Sequence, residues 1–494
     1  MEARRLEYDP SSTPKMHKIG NLNPKRSFVF FRRRIPSLFI AIVAISVALT
    51  RTAHLSHLFR KVSSSYPFIL FKIANRNPSI LNLSKAGSPC LLWMAPFLSG
   101  GGYSSEAWSY ILALNRTSRN PFRMSIAQHG DALSYEFWQG LSDEEKKLAL
   151  RLHQEQCLPN ETIVVCHSEP GAWRPPLFET PPCPPLGYDG YLSVIGRTMF
   201  ETDRLTAEHV ARCNRMDYVW VPSDFHVSTF VNSGVDSSKV VKVVQAVDVD
   251  FFDPEKHKPL QLQGNLIMGE VRKGAFVFLS IFKWEYRKGW DVLLKAYLSE
   301  FSADDGVSLL MLTSPYHTAG GFGNRISEFV EKSAVPRPEK GWPAVSVVDA
   351  HIAQVDLPGV YRCADAFVLP SRGEGWGRPL VEAMAMSVPV IATNWSGPTE
   401  FLREENGYPV RVEKMVEVRE GPFRGHLWAE PSVGDLRGVM RRVVEKREES
   451  KKKGMLGRQH MIQTFSPEIV AETLLQRLRF VAHNSASSVH SIHI

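Results

Sequence analysis

The chain reads as an α/β protein with two parallel sheets, each doubly wound by helices, preceded by a single transmembrane helix. Three observations carry that reading. Residues 89–250 and 266–425 each alternate short apolar runs with helical stretches, the pattern of a Rossmann-like unit. A polar stretch containing Pro254 and Pro259 separates them and reads as a linker over 251–265. An uncharged run, Ile35–Thr50, follows Arg32-Arg33-Arg34 near the N-terminus.

The N-terminal run comes first. Its sixteen residues span about 24 Å as a helix, close to the roughly 27 Å of a thin endomembrane bilayer. Arg34 and Arg51 can snorkel at the two ends. Residues 1–34 hold nine Lys/Arg and three Asp/Glu, so this tail should stay cytosolic while the body enters the lumen. The expectation is a basic cytosolic tail (1–34), a signal anchor (35–50) and a Ser-, Asn- and Arg-containing stem (51–88). That describes a single-pass type II protein of the Golgi or endoplasmic reticulum, bound to the membrane by its N-terminal helix. A cleaved signal peptide has a shorter charged leader, and Glu2, Glu7 and Asp9 count against an organelle transit peptide.

Composition narrows the classes. The chain has 494 residues, which suits two or three domains, and 44% are hydrophobic, enough for sizeable cores. The formal net charge is +8, but the tail carries +6 of it. No basic-aromatic stripe remains in the body, so nucleic acid is excluded as a partner. The six cysteines show no C-x2-C spacing, which argues against zinc. A lumenal bridge among Cys157, Cys166 and Cys183 is expected with its pairing open, and Cys363 reads as inert core in a helix. Sequons at Asn82, Asn115 and Asn160 suit a lumenal glycoprotein, whereas Asn394 falls in a loop unsuited to glycan.

The elements follow in order. Cys90–Pro96 reads as a strand, Phe97–Ser104 as a loop with Gly100-Gly101-Gly102, and a helix begins at Ser105. Further strands are Thr162–Cys166, Tyr218–Pro222 and Val240–Val244. The second unit, 266–465, opens with the strand Gly274–Phe282 and later has the buried strand Ala366–Pro370. Pro379 should open a helix over Leu380–Met386. Residues 445–457 read as a solvated helix face, and 466–494 as a last helix, about Pro467–Val481, with a Ser- and His-containing tail.

The chemistry concentrates in Ser371-Arg-Gly-Glu-Gly-Trp-Gly-Arg-Pro-Leu-Val-Glu382. Glu374 and Glu382 stand eight positions apart, in a loop that leaves the C-terminal end of a strand and feeds a helix N-terminus. Open α/β sheets bind ligands there, and the helix end attracts phosphate. Asp356-Leu-Pro-Gly-Val-Tyr361 precedes this segment, Ala383–Ala392 follows, and Ser396-Gly-Pro-Thr-Glu-Phe-Leu402 makes a second strand-loop-helix step. Together these segments resemble the E-x7-E signature of the retaining family-4 glycosyltransferases, which have the GT-B fold. The resemblance covers most of 90–475.

It implies an acceptor domain (89–250) and a donor domain (266–465) facing a cleft, with the last helix crossing back onto the first. Glu374 would contact hydroxyls of the transferred sugar and Glu382 the nucleotide ribose, while Gly375 and Gly377 let the loop approach the donor. Lys288, in Lys288-Gly289, and Lys283, where relatives usually have Arg, would grip the diphosphate. Gly101 and Gly102 would lie against the donor. His167 would reach the sugar near its reacting carbon, with His129 a weaker candidate, and Glu201 would touch the acceptor. Glu374, His167 and Lys288 are thus the catalytic candidates. The implied activity is metal-independent, cofactor-free transfer from a UDP- or GDP-sugar to a glycan, lipid or protein hydroxyl. Rival readings are a metal-dependent transferase using Asp248 and Asp250, a non-catalytic sugar-nucleotide-binding protein, and an epimerase or phosphorylase on the same fold.

Overall fold

A computed structural model describes residues 89–490 apart from 263, 316–319 and 351, with side chains as far as 485. The tail, anchor and stem expected over 1–88 lie outside the described residues, as do 491–494. Among the described residues no helix is long and apolar enough to cross a membrane.

Six parallel strands form the first sheet: β1 (Cys90–Ala95), β2 (Arg123–Gln128), β3 (Thr162–His167), β4 (Ser193–Arg197), β5 (Tyr218–Val221) and β6 (Val240–Lys242), in the order β2-β1-β3-β4-β5-β6. The second sheet runs β13-β12-β11-β8-β9-β10-β7. Its strands are β7 (Asn265–Met268), β8 (Phe276–Trp284), β9 (Val307–Pro315), β10 (Ala344–Val348), β11 (Ala366–Leu369), β12 (Val390–Thr393) and β13 (Tyr408–Val410). Only the edge strand β7 is antiparallel. The central strands β3 and β11 are buried at every position, because helices cover both faces, and their sequences are accordingly near-continuous apolar runs.

Strand order fixes where ligands can sit. The first sheet reverses direction between β1 and β3, the second between β8 and β11. At each such point two neighbouring loops leave the sheet on opposite sides and open a crevice. The loops after β8 and β11 carry Lys288 and Glu374, so the topology itself brings these distant residues together, while Lys283 stands at the end of β8.

The helix Pro467–His490 buries Val470, Leu474, Leu475, Leu478 and Val481 in the apolar cluster of the first sheet, against the helix Gly102–Arg116. Each buried Leu contributes about 1.5–3 kcal/mol, enough to hold this crossing.

Several elements differ from the sequence reading. The helix expected from Ser105 starts at Gly102, and Pro379 is second in the helix Arg378–Ala385, where its missing N–H is still no loss. A two-stranded ribbon, β14 (Val412–Glu417) with β15 (Leu427–Pro431), was not foreseen. The disulfides are Cys90–Cys157 and Cys166–Cys183. Cys363 is not in a helix: it sits half-buried in a turn, its thiol donating to the carbonyls of Leu260 (2.7 Å) and Gly359 (3.3 Å).

Candidate functional site

Gly289 sets the floor. It follows β8 with φ +68°, and any side chain there would collide with the Pro370 carbonyl oxygen after β11. Only glycine lets the two loops touch. Gly289→Ala is therefore expected to cost at least about 1–3 kcal/mol through left-handed strain alone. Chemical denaturation would show it as a lowered midpoint.

Arg372 locks the second loop. Its side chain is fully buried, with the guanidinium 3.7 Å over the Tyr286 ring. It pairs bidentately with Asp291 (2.8 and 2.7 Å) and with Glu430 of β15 (2.7 and 3.0 Å). Two carboxylates around one cation make this a stiff support for the residue two positions on.

That residue is Glu374. Lys288 Nζ lies 2.7 and 2.9 Å from its two carboxylate oxygens, and Arg287 Nη1 lies 3.5 Å from Oε2. The Glu374 backbone N–H donates to Ser396 Oγ at 2.9 Å. Burial would raise this carboxyl, but Lys288 and then Arg287 hold it below its ordinary value. Arg287 also donates to the Gly373 carbonyl (2.6 Å) and to Glu285 (2.9 Å), and it stands 3.8 Å from Glu201 on the first-sheet side. Desolvation raises the Glu201 carboxyl, with Arg287 opposing. The sequence reading missed Arg287, although its place in the cationic pair Arg287-Lys288 was a signal.

Glu382 lies apart from this cluster. Its Oε2 accepts from the Tyr361 hydroxyl at 2.8 Å and its Oε1 is 3.6 Å from Arg378 Nε. Burial raises its carboxyl despite Arg378. Glu382 and Arg378 open onto a cavity of about 1160 Å³ that Gly100, Ala246 and Val355 also line, whereas Glu374 and Lys288 do not line it. Lys283 is exposed and faces Asp131, whose carboxyl desolvation raises and Lys283 partly draws back.

The glycines divide. Gly102 has open space where a side chain would project, while the Gly101 N–H is taken by Ser99 Oγ at 3.2 Å. Gly377 has φ +104° and caps the helix Arg378–Ala385. At Gly375 a Cβ would stand 2.7 Å from Met199, so the loop packs closely against the first-sheet side there. Gly373 likewise admits the Glu201 carbonyl.

His167 sits in a buried network. Its ring is fully buried, Nδ1 accepts from Trp93 Nε1 at 3.0 Å, and Nε2 meets Glu106 Oε2 at 3.0 Å. Burial lowers its affinity for a proton. With both nitrogens occupied it belongs to a buried network with Glu106, Arg197 and Tyr110. His129 is similar, bound by the Pro181 carbonyl and Ser168, with burial pushing it to about 4. Asp248 does not form a metal pair with Asp250. It is bound to Arg116 at 2.9 Å and caps the backbone N–H groups of Asp250 and Phe251. Among the described residues no three His, Cys, Asp or Glu side chains are grouped to hold a metal.

The ribbon β14–β15 straps the cleft. Asp203 exchanges two hydrogen bonds with the Leu427 backbone (2.9 and 2.6 Å), Thr202 bonds His426 (3.0 Å), and Phe423 packs edge-on against Phe200. These contacts hold the segment bearing Glu201 beside the loop bearing Glu374.

Residues 273–418 match the family model of the glycosyl transferases group 1. An uncharacterized 41.2 kDa protein in the cps region of Klebsiella pneumoniae is 25% identical over 222 residues, 43% of this chain and 54% of that one. Mannosylfructose-phosphate synthase of Agrobacterium fabrum is 30% identical over 129 residues, 24% of this chain and 26% of that one. The chain thus spans between a quarter and about half of the length of these curated relatives. The crystal structure of Anabaena Alr3699/HepE in complex with UDP and glucose superposes with a TM-score of 0.52 at 13% identity, over 79% of this chain and 99% of that one. Residues 273–418 thus carry the group 1 glycosyl transferase pattern, on a protein with the two-sheet GT-B fold.

Proposed function

We propose that this protein is a retaining glycosyltransferase that moves a sugar from a UDP- or GDP-sugar to an acceptor hydroxyl without a metal. The observation that carries the reading is Glu374, held by Lys288 and Arg287 at the switch point of the second sheet and facing Glu201 of the first. Lys288, Lys283 and the N-terminus of the helix Arg378–Ala385 supply positive charge for a departing diphosphate. The sugar left behind has oxocarbenium character, and Glu374 is the carboxylate placed to bind its hydroxyls. The acceptor hydroxyl attacks from the face the diphosphate vacates and passes its proton to the departing diphosphate oxygen, so no protein nucleophile is required. Glu382 takes the ribose at the wall of the cavity. The Anabaena neighbour, in complex with UDP and glucose, favours a nucleotide-sugar donor.

Two disulfides favour an oxidising compartment, and so the lumenal placement of the body behind the anchor at 35–50. The acceptor is a glycan, lipid or protein of that compartment.

The test is nucleotide release from a panel of UDP- and GDP-sugars by the full chain with EDTA present, beside Lys288→Ala. One donor should be turned over, with a loss of about 10²-fold or more in the variant. Activity only with added Mn²⁺ would overturn the metal-free mechanism. Binding of nucleotide without any turnover, across donors and acceptors, would favour the non-catalytic reading.

A further inference from the structure

Lys288 is asked to serve two anions. In the structure its ammonium bridges both oxygens of Glu374, yet the reading above also assigns it to the donor diphosphate. A phosphate that draws on Lys288 competes with Glu374 for it. A buried carboxylate that loses its counter-ion either takes up a proton or moves.

Arg287 answers that need. Its Nη1 is within 3.5 Å of Glu374 Oε2, and three other contacts fix it: the Gly373 carbonyl, Glu285, and the Arg372 N–H that donates to its own carbonyl at 2.7 Å. The Gly373 contact ties it to the peptide immediately before Glu374, so the guanidinium travels with the carboxylate. We propose that Arg287 is a positioning residue, which stays as the second counter-ion of Glu374 when a nucleoside diphosphate engages Lys288 and so keeps the carboxylate charged and in place for the sugar. This rests on the nucleotide-sugar reading of the site.

The groups that face Arg287 are Glu374, Glu285 and the Gly373 carbonyl from the second sheet and Glu201 from the first. The Glu374 carboxylate faces Lys288, Arg287 and the Ser371 hydroxyl, with Glu201 acting on it from the first sheet, while Ser396 Oγ accepts from its backbone N–H. The sign follows. With Arg287 present, Glu374 stays ionised when Lys288 turns to phosphate. With Arg287 removed, the same event raises the Glu374 carboxyl, and a proton is taken up as the nucleotide binds.

The experiment is calorimetric titration of the full chain with UDP and GDP at about pH 6, in buffers of different ionisation heat, which counts protons exchanged on binding. Wild type, Arg287→Lys, Arg287→Gln and Arg287→Gln/Glu374→Gln are compared. Arg287→Gln should take up more than wild type, by as much as about one proton per nucleotide. Arg287→Lys should match wild type, and the double variant should lose the excess. Equal proton counts in Arg287→Gln and wild type overturn the proposal. So does an excess that persists in the double variant, which would belong to Glu201 or Glu285. Loss of nucleotide binding in Arg287→Gln alone would make Arg287 a ligand of the nucleotide instead. If folded wild type binds neither UDP nor GDP, the nucleotide-site reading falls, and this inference with it.

Discussion

Glu374→Gln should abolish most sugar transfer, by about 10²–10³-fold, while UDP or GDP binds at least as tightly as before. The substitution keeps shape and volume but removes charge. On the proposed mechanism turnover falls because the carboxylate supplies the negative charge that would meet the developing positive charge of the sugar. Affinity for the nucleotide holds or rises because Lys288 is released from the carboxylate that occupies it at 2.7 and 2.9 Å. Loss of a residue that bound substrate and transition state equally would weaken affinity and leave kcat unchanged. The measurement is kcat for nucleotide release beside the Kd of the free nucleotide. If Kd weakens in step with kcat, Glu374 is a nucleotide ligand. If kcat is unchanged, the carboxylate is not in the reacting site.

Glu106→Ala should destabilise the chain by about 3–5 kcal/mol, the usual cost of stranding a buried charge. Glu106, His167 and Arg197 are almost wholly excluded from water, and Glu106 Oε1 accepts from Arg197 Nε at 2.8 Å and from Tyr110 at 3.0 Å. Burial opposes the charge on Glu106, yet Arg197 and His167 hold its carboxyl at about 2. A carboxyl held below its unfolded value stabilises the fold above the ordinary carboxylate range and loses that contribution as pH falls toward about 2. The variant should therefore show a flatter acid limb than wild type, together with a melting temperature lower by roughly 10 °C. Scanning calorimetry from neutral pH into acid checks both. An unchanged melting temperature would mean that the network is hydrated in solution. The effect should extend to the cleft, because Tyr103 packs edge-on to His167 and donates to the Met199 carbonyl, two residues before Glu201.

What was legible in the sequence was local. Apolar runs such as Ala366–Leu369 are buried on both faces of a parallel sheet, so their composition alone marks them as strands. The glutamate pair and Lys288-Gly289 are separated by more than eighty residues, yet each stands in a short pattern with its own backbone demand, as the φ of Gly289 and Gly377 shows. The ribbon β14–β15 escaped notice because its strand Val412–Glu417 mixes charged residues with the exposed Met415 and two half-buried valines, without alternation, and has little core to bury.

His167 shows why sequence could not go further. A histidine ending an apolar strand looks the same whether it faces a ligand or a buried acid. Its fate was set by Glu106, sixty-one positions away on the helix Gly102–Arg116. Arg287 and Arg372 present the same case. Sequence shows cations beside a phosphate-binding pattern, but only the packing tells which carboxylate each one meets. The sequence by itself determined the α/β class, the strand-loop-helix steps and the identity of the Glu374 and Lys288 motifs, because backbone propensity and burial period act over a few residues. The tertiary structure alone decided which charges pair, which glycines serve packing and which ribbon straps the cleft, because those contacts depend on strand order.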